Sequence, residues 1–233
     1  MSRYHFDGSA HRRTNLNKPG ARWSARRNGV AVGAHPGLPD RLGFGRRRMD
    51  LTPGDAADYV RYQVGALAAF AEAAGTSLHH VKPHGALYMM ALDDARLARA
   101  IVEVVDELSV YTLAGSEMWH AAEAAGVPAV AEFFADRPIH SDGTVVMFNW
   151  QELFTATPEA VAERVRSLVT TGTVTSLEGD PVAVTAATIC IHSDTPGAGL
   201  LGPAVRAAIE AGGAAVSSET ATAAGIHSTR GGG

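Results

Sequence analysis

Cysteine is almost missing from this sequence: Cys190 is the single one among 233 residues. An internal disulfide and a four-cysteine zinc site are therefore excluded, and a reducing compartment suits the chain best. No run of 18 apolar residues occurs, so a transmembrane helix is not expected. The opening stretch Met1-Ser2-Arg3-Tyr4-His5-Phe6-Asp7-Gly8 has no apolar h-region, so a secretory signal peptide is not expected. Neither a Gly-x-Gly-x-x-Gly at a strand–helix junction nor a Walker A loop is present, which leaves both familiar nucleotide sites unsupported. Charged residues are also sparse at 19%, against 46% apolar, a globular rather than a disordered balance. The length suits one α/β domain able to bury roughly 70% of its extended surface without staples. These features predict a cytoplasmic protein with no membrane partner.

Charge is spread unevenly. Residues 1–48 carry a net +9, and the remainder −13. A basic arm suits nucleic acid, but no helix-turn-helix or RNA-binding signature follows it and the body is acidic, so no nucleic-acid partner is expected. Residues 1–28 show no strand or helix period. They are expected to form a divergent, weakly ordered basic segment preceding a single β/α domain over residues 29–230.

In that body, apolar strands alternate with helices. Strands are expected near 30–34, 77–82, 110–114, 127–134, 187–191 and 214–217. Helices are expected near 53–74, 94–108, 116–125, 158–169 and 201–211, with a small hairpin around Glu178-Gly179-Asp180. The first helix has Thr52 as cap, Pro53 behind it, and a stripe of Tyr59, Val60, Val64, Leu67, Ala68 and Ala71. Residues 138–156 lack a period and read as a long functional loop. The alternation predicts a mostly parallel sheet, and a barrel would bring the polar strand ends to one rim.

Those strand ends hold the candidate chemistry. His35, His84 and His192 each follow an apolar strand, and Asp136 and Asp194 share the setting. Histidine with carboxylate serves acid–base catalysis or binds a divalent metal. We take His35, Lys82, His84, Asp136 and His192 as catalytic candidates, with Lys82 suited to steady an oxyanion. His35, His84 and His192 are also the candidates for a metal. Arg46 and Arg47, after the Gly43-Phe44-Gly45 turn, could grip an anion as a fork and stand with Asp194 as cofactor-binding candidates. Set against this, each histidine alone can be a strand cap, Lys82 a salt-bridge partner at the rim, and the arginines a solvated surface. His79 and His80 face opposite sides of a strand, so one of them is expected to pack between strand and helix; His120 reads as structural, and Cys190 as a buried small residue.

Several blocks together resemble the LamB/YcsF family, the family of the 5-oxoprolinase A-subunits. They are Gly33-Ala34-His35-Pro36-Gly37-Leu38-Pro39-Asp40, Gly43-Phe44-Gly45-Arg46-Arg47 and Lys82-Pro83-His84-Gly85-Ala86-Leu87-Tyr88. Ala114-Gly115-Ser116, Glu132-Phe133-Phe134-Ala135-Asp136-Arg137 and Cys190-Ile191-His192-Ser193-Asp194 continue the series. The resemblance runs from about residue 29 to about 212. It implies a distorted, incomplete seven-stranded β/α barrel like those of the glycoside hydrolase/deacetylase superfamily. It also implies the A-subunit of an enzyme that, with its B- and C-subunits, opens the lactam of 5-oxoproline to L-glutamate using ATP and water. The alternatives are a catalytically impaired partner protein of the same family and a metal-dependent amide or carbohydrate hydrolase.

Two family blocks have no counterpart here: an Asn/Asp–Gly–Glu stretch after the first strand and one built around Cys–Gly–Phe–His–Ala–Gly–Asp. Ser193 stands where the family has glycine, and Val145-Val146-Met147-Phe148-Asn149 where it has a Pro-Arg pair. Residues 1–28 are expected not to replace the missing βα units, because Phe6, Leu16 and Trp23 are their only sizeable apolar side chains. Each is worth about 1.5–3 kcal/mol when buried, against about 1–2 kcal/mol of backbone entropy per ordered residue.

Overall fold

A computed structural model describes residues 30–105 and 107–216, together with the backbone of 4–6. The chain forms an α/β fold of parallel strands and flanking helices, arranged as two compact units, residues 3–130 and 131–233.

In the first unit the strands are β1 (Tyr4–Phe6), β2 (Val32–Ala34), β3 (Leu78–Val81) and β4 (Ser109–Thr112). They pair in that order and all in parallel, with Gly33 opposite His80 and Val81 opposite Val110. β1 lies within the stretch read as irregular; its register puts Tyr4 opposite Val32 and Phe6 opposite Ala34. The other residues of 1–28 lie outside the described ones, so the expected weak order of that segment is not addressed by the fold.

Helix α1 (Pro53–Ala73) begins where the sequence places it. Thr52 accepts from the Asp55 amide at 3.1 Å while the Asp55 carboxylate accepts from the Thr52 amide at 3.2 Å, a reciprocal cap. Its buried stripe is Ala56, Val60, Gln63, Val64, Leu67 and Ala71, while Tyr59 and Ala68 of the expected stripe face solvent. Gln63 takes a core position because the backbone of Gly37 satisfies its amide.

One helix escaped the sequence reading: α2 (Gly85–Asp93) directly follows His84. Ala86, Leu87, Tyr88 and Ala91 are buried around much of its circumference, so no amphipathic stripe advertises it. The expected helix over 94–108 is shorter, α3 (Ala95–Val102), capped by the Asp94 carboxylate on the amides of Arg96 and Leu97. α4 (Glu117–Ala125) starts at Ser116 and stops at Gly126, whose φ is 70°. α3 packs against both α1 and α4.

Strand β5 (Ala129–Phe134) carries the chain into the second unit, with every residue buried. There it pairs in parallel with β8 (Thr188–Cys190), Phe134 opposite Cys190. The hairpin β6 (Thr173–Thr175) and β7 (Pro181–Ala183) is antiparallel as expected. The long loop holds one short 3-10 turn (Trp150–Glu152). α5 (Pro158–Thr171), capped by Thr157, packs on α6 (Ala198–Ala211). The strand expected over 214–217 is not formed in residues 214–216, because Gly213 at φ 83° turns the Ala214 amide back onto the Ile209 carbonyl at 3.1 Å. Among the described residues no helix is long and apolar enough to cross a membrane.

Candidate functional site

Strand β2 delivers His35, directly after its last residue, and strand β3 delivers His84, three residues after its own. The structure brings the two rings together: His84 Nδ1 lies 3.0 Å from His35 Nε2, and the rings meet edge to face at 4.8 Å. The outer nitrogen of each ring meets a main-chain carbonyl. His35 Nδ1 is 2.5 Å from Lys82 O, and His84 Nε2 is 2.7 Å from Phe44 O. His84 is buried and His35 half-buried.

Small residues make this approach possible. A Cβ at Gly37 would come 3.3 Å from His84 Cβ, and one at Gly45 would come 3.0 Å from His84 Cδ2. Phe44 itself sits at φ 56°, an uncommon conformation for a residue with a side chain, and it aims its carbonyl at the histidine. The Gly37 amide and carbonyl are both held by Gln63, at 3.0 and 2.9 Å. Gln63 was not singled out from the sequence, where a glutamine inside an apolar helix stripe carries no signal.

Lys82, buried one residue beyond β3, places its ammonium 5.6 Å from the Tyr88 ring centre. The two arginine candidates are differently engaged. Arg46 lies 5.6 Å from the Phe44 ring centre. Arg47 is ion-paired to Asp40, donating from Nε at 3.0 Å and from Nη2. That hydrogen bond, helped by the Gly43 amide and opposed by burial, pulls the Asp40 carboxyl well below the usual carboxylate range.

In the second unit, Asp136 follows β5 and His192 follows β8, and they meet as the parallel pairing requires. One Asp136 oxygen accepts from His192 Nδ1 at 2.9 Å. The other accepts from the His192 amide at 2.8 Å, from the Thr195 hydroxyl at 2.6 Å, and pairs with Arg137 Nη1 at 3.1 Å. Burial alone would raise this carboxyl. The hydrogen bond and charge of His192, the charge of Arg137 and the Thr195 hydroxyl outweigh it and hold the group at about 2. Arg137 is wholly buried, lies 4.2 Å from the Trp150 ring centre, donates to Thr195 Oγ1 at 2.9 Å and approaches Asp194 at 3.7 Å. Thr195 and Trp150 were not found from sequence, because a threonine and a tryptophan in loops match no spacing rule.

Chemically, an ionised Asp136 on Nδ1 fixes the His192 tautomer and makes Nε2 its basic nitrogen, the arrangement of a general base. The metal expectation meets a different arrangement. Both ring nitrogens of His35 and of His84 are used in hydrogen bonds, and among the described residues no three His, Cys, Asp or Glu groups are set to hold a metal ion. Arg47 spends part of its guanidinium on Asp40. Cys190 is buried and unbridged, as expected.

Comparison with known proteins gives a consistent result. Residues 21–224 match the model of the LamB/YcsF family. The chain is 47% identical over 196 residues to the 5-oxoprolinase A-subunit of Syntrophobacter fumaroxidans, covering 82% of this chain and 78% of that protein. It is 44% identical over 190 residues to the protein of the same name from Thermococcus onnurineus, covering 80% and 74%. Among solved structures, the lactam utilization protein from Thermus thermophilus superposes with a TM-score of 0.77 at 42% identity, covering 86% of this chain and 83% of that one.

Proposed function

The chain belongs to the LamB/YcsF family, and from that premise we propose that it is the A-subunit of a 5-oxoprolinase, a hydrolase that opens the lactam of 5-oxoproline to L-glutamate. We extend the reading to the fold, as a distorted, incomplete β/α barrel, and to the assembly, with the B- and C-subunits of 5-oxoprolinase as partners. The observation that carries the catalytic reading is the 2.9 Å contact between His192 Nδ1 and the buried Asp136 carboxylate.

In this mechanism Asp136 orients His192, and His192 Nε2 takes a proton from the water that attacks the lactam carbonyl carbon. The carbon–nitrogen bond then breaks, and the ring nitrogen keeps the electron pair and gains a proton. A lactam is a poor electrophile, and ATP in the assembled enzyme supplies the activation that water attack needs. Neither a nucleotide cradle nor a metal set is assigned to this chain's residues, so no step is routed through either. Lys82, His35 and His84 carry the remaining catalytic assignments of this reading, and Arg46, Arg47 and Asp194 the cofactor-binding ones.

The test is ATP-dependent glutamate release by the purified chain mixed with the B- and C-subunits. The reading expects release with all three present, none from this chain alone, and loss of at least a hundredfold in kcat for Asp136→Asn. No release from the complete mixture would favour the impaired-partner alternative. Close to one bound metal ion per chain, with hydrolysis independent of ATP, would favour a metal-dependent hydrolase.

A further inference from the structure

Helix α5 carries a half-buried arginine, Arg164, that the catalytic reading does not use. Ala160, Arg164 and Ser167 are spaced four and three residues apart, so they share one face of that helix. Against that face lie Leu177, beyond the end of β6, and Pro138 and Phe154 from either end of the long loop. Together they line a cleft of about 350 Å3 within the second unit.

The guanidinium is fixed in place. Its Nη2 donates to the Arg137 carbonyl at 2.8 Å and its Nη1 to the Thr175 carbonyl at 3.4 Å. Its central carbon lies 5.3 Å from the Phe133 ring centre and 5.2 Å from that of Phe154. A guanidinium has five N–H groups and accepts nothing. Two are spent on these carbonyls, and Nε is buried without a hydrogen-bond partner. Each terminal nitrogen is left with one N–H to give. Among the described residues no carboxylate pairs with this cation. Burial pushes its pKa down to about 10 while the charge of Asp136 pulls it up, so the group is cationic at neutral pH.

The walls decide which anion suits it. Pro138, Phe154 and Leu177 are apolar, and Ser167 adds a hydroxyl. Glu163 also lines the cleft, with its exposed carboxylate paired to Arg166. A phosphate dianion would bring two charges to one guanidinium with that glutamate beside it. A carboxylate brings one charge, in a plane that matches the fork of the two terminal nitrogens. The volume falls near the lower end of the range of about 300–1,000 Å3 that small-molecule sites occupy.

We propose that this cleft binds a small monocarboxylic acid with an apolar body, the carboxylate on the terminal nitrogens of Arg164 and the body against Phe154, Leu177 and Pro138. The site is separate from the Asp136–His192 pair, since neither residue lines the cleft. It stands independently of the 5-oxoprolinase reading.

The probe is benzoate, titrated into the 15N-labelled full chain and followed by NMR. Benzamide serves as the neutral isostere and inorganic phosphate as the anion without an apolar body. Benzoate should give saturable shifts at the Arg164 Nε–H and at the amides of Ser167 and Leu177. Benzamide and phosphate should each bind at least tenfold more weakly. Arg164→Met should abolish the saturable shifts. Ala160→Leu, which narrows the cleft and leaves the guanidinium in place, should weaken binding at least tenfold and keeps the test decisive should Arg164→Met fail to fold. Equal binding of benzoate and benzamide would overturn recognition of the carboxylate, and equal binding of phosphate would overturn the apolar acid. Absence of saturable shifts would make Arg164 a brace between α5 and the strands and remove the site. Shifts centred on His192 would place the acid at the catalytic candidate instead and refute a separate site. None of these outcomes depends on glutamate release, so this proposal and the 5-oxoprolinase reading fail separately.

Discussion

Thr195 stands between two buried charges, its hydroxyl donating to Asp136 Oδ2 at 2.6 Å and accepting from Arg137 Nη1 at 2.9 Å. One hydroxyl thus satisfies an anion and a cation at once. Thr195→Val keeps the shape and removes both hydrogen bonds. Hydrogen bonds to charged groups contribute about 1.5–3 kcal/mol each, so urea unfolding should show a loss of that order. Because Asp136 also orients His192, kcat of the assembled enzyme should drop at least tenfold, with KM little changed. Thr195→Ser should recover most of both. A valine variant with wild-type stability and rate would show that the hydroxyl is idle.

The Asp136 carboxyl makes acid stability predictable. Its folded value of about 2 lies below the ordinary 3.8. A depressed carboxyl stabilises the fold fully above its unfolded value, and that stability is lost as pH falls from about 4 through about 2. The shift corresponds to about 2 kcal/mol. Urea midpoints recorded from pH 5 to pH 2.5 should decline for the wild-type chain. For Asp136→Asn they should start lower and decline less. Parallel slopes for the two proteins would assign the acid sensitivity to other carboxylates.

Much of this arrangement was legible in the sequence. Thr52-Pro53 and Thr157-Pro158 start helices where the cap chemistry says they must, and Gly126 ends α4. The polar residues after apolar strands became the two close pairs, His35 with His84 and Asp136 with His192. What was hidden has a physical reason in each case. Helix α2 is apolar over too much of its surface to show a 3.6-residue period. Gln63 and Thr195 matter through hydrogen bonds to partners 26 and 59 residues away, a pairing that local spacing does not encode. The pairing of Arg47 with Asp40 was hidden because the turn that brings them together is a three-dimensional feature.

Gly33 offers a direct packing test. A Cβ built there would fall 2.0 Å from Nε2 of His80, whose ring is fully buried and stacked on Tyr111 at 3.9 Å. The ring has nowhere to move, so Gly33→Ala should cost about 1–3 kcal/mol through overpacking. His80→Ala should also destabilise, by emptying a core site. Combined, the two should cost less than the sum of the singles, because the new methyl enters the space the ring vacates. Chemical denaturation of the four proteins gives the coupling, and strict additivity would refute the contact.

Gln63 links helix α1 to the loop that holds His84. Its amide oxygen accepts from the Gly37 amide at 3.0 Å, and its nitrogen donates to the Gly37 and Tyr59 carbonyls at 2.9 and 3.0 Å. Gly37 in turn lies against His84, so the glutamine fixes a loop that shapes the histidine pair. Gln63→Leu has a similar volume and suits a helix, which isolates the lost hydrogen bonds from any change in packing or propensity. Two buried backbone groups at Gly37 would then lack partners, at a cost of about 1–3 kcal/mol each if water cannot reach them. The loop can relieve that cost by opening to solvent. Amide hydrogen exchange at Gly37 should therefore speed up far more than exchange in β4 or α4. Glutamate release by the complex should fall together with the loop's protection. If Gly37 exchanges at the wild-type rate while global stability drops, the glutamine supports the core and not the loop, and its link to the histidine pair is refuted.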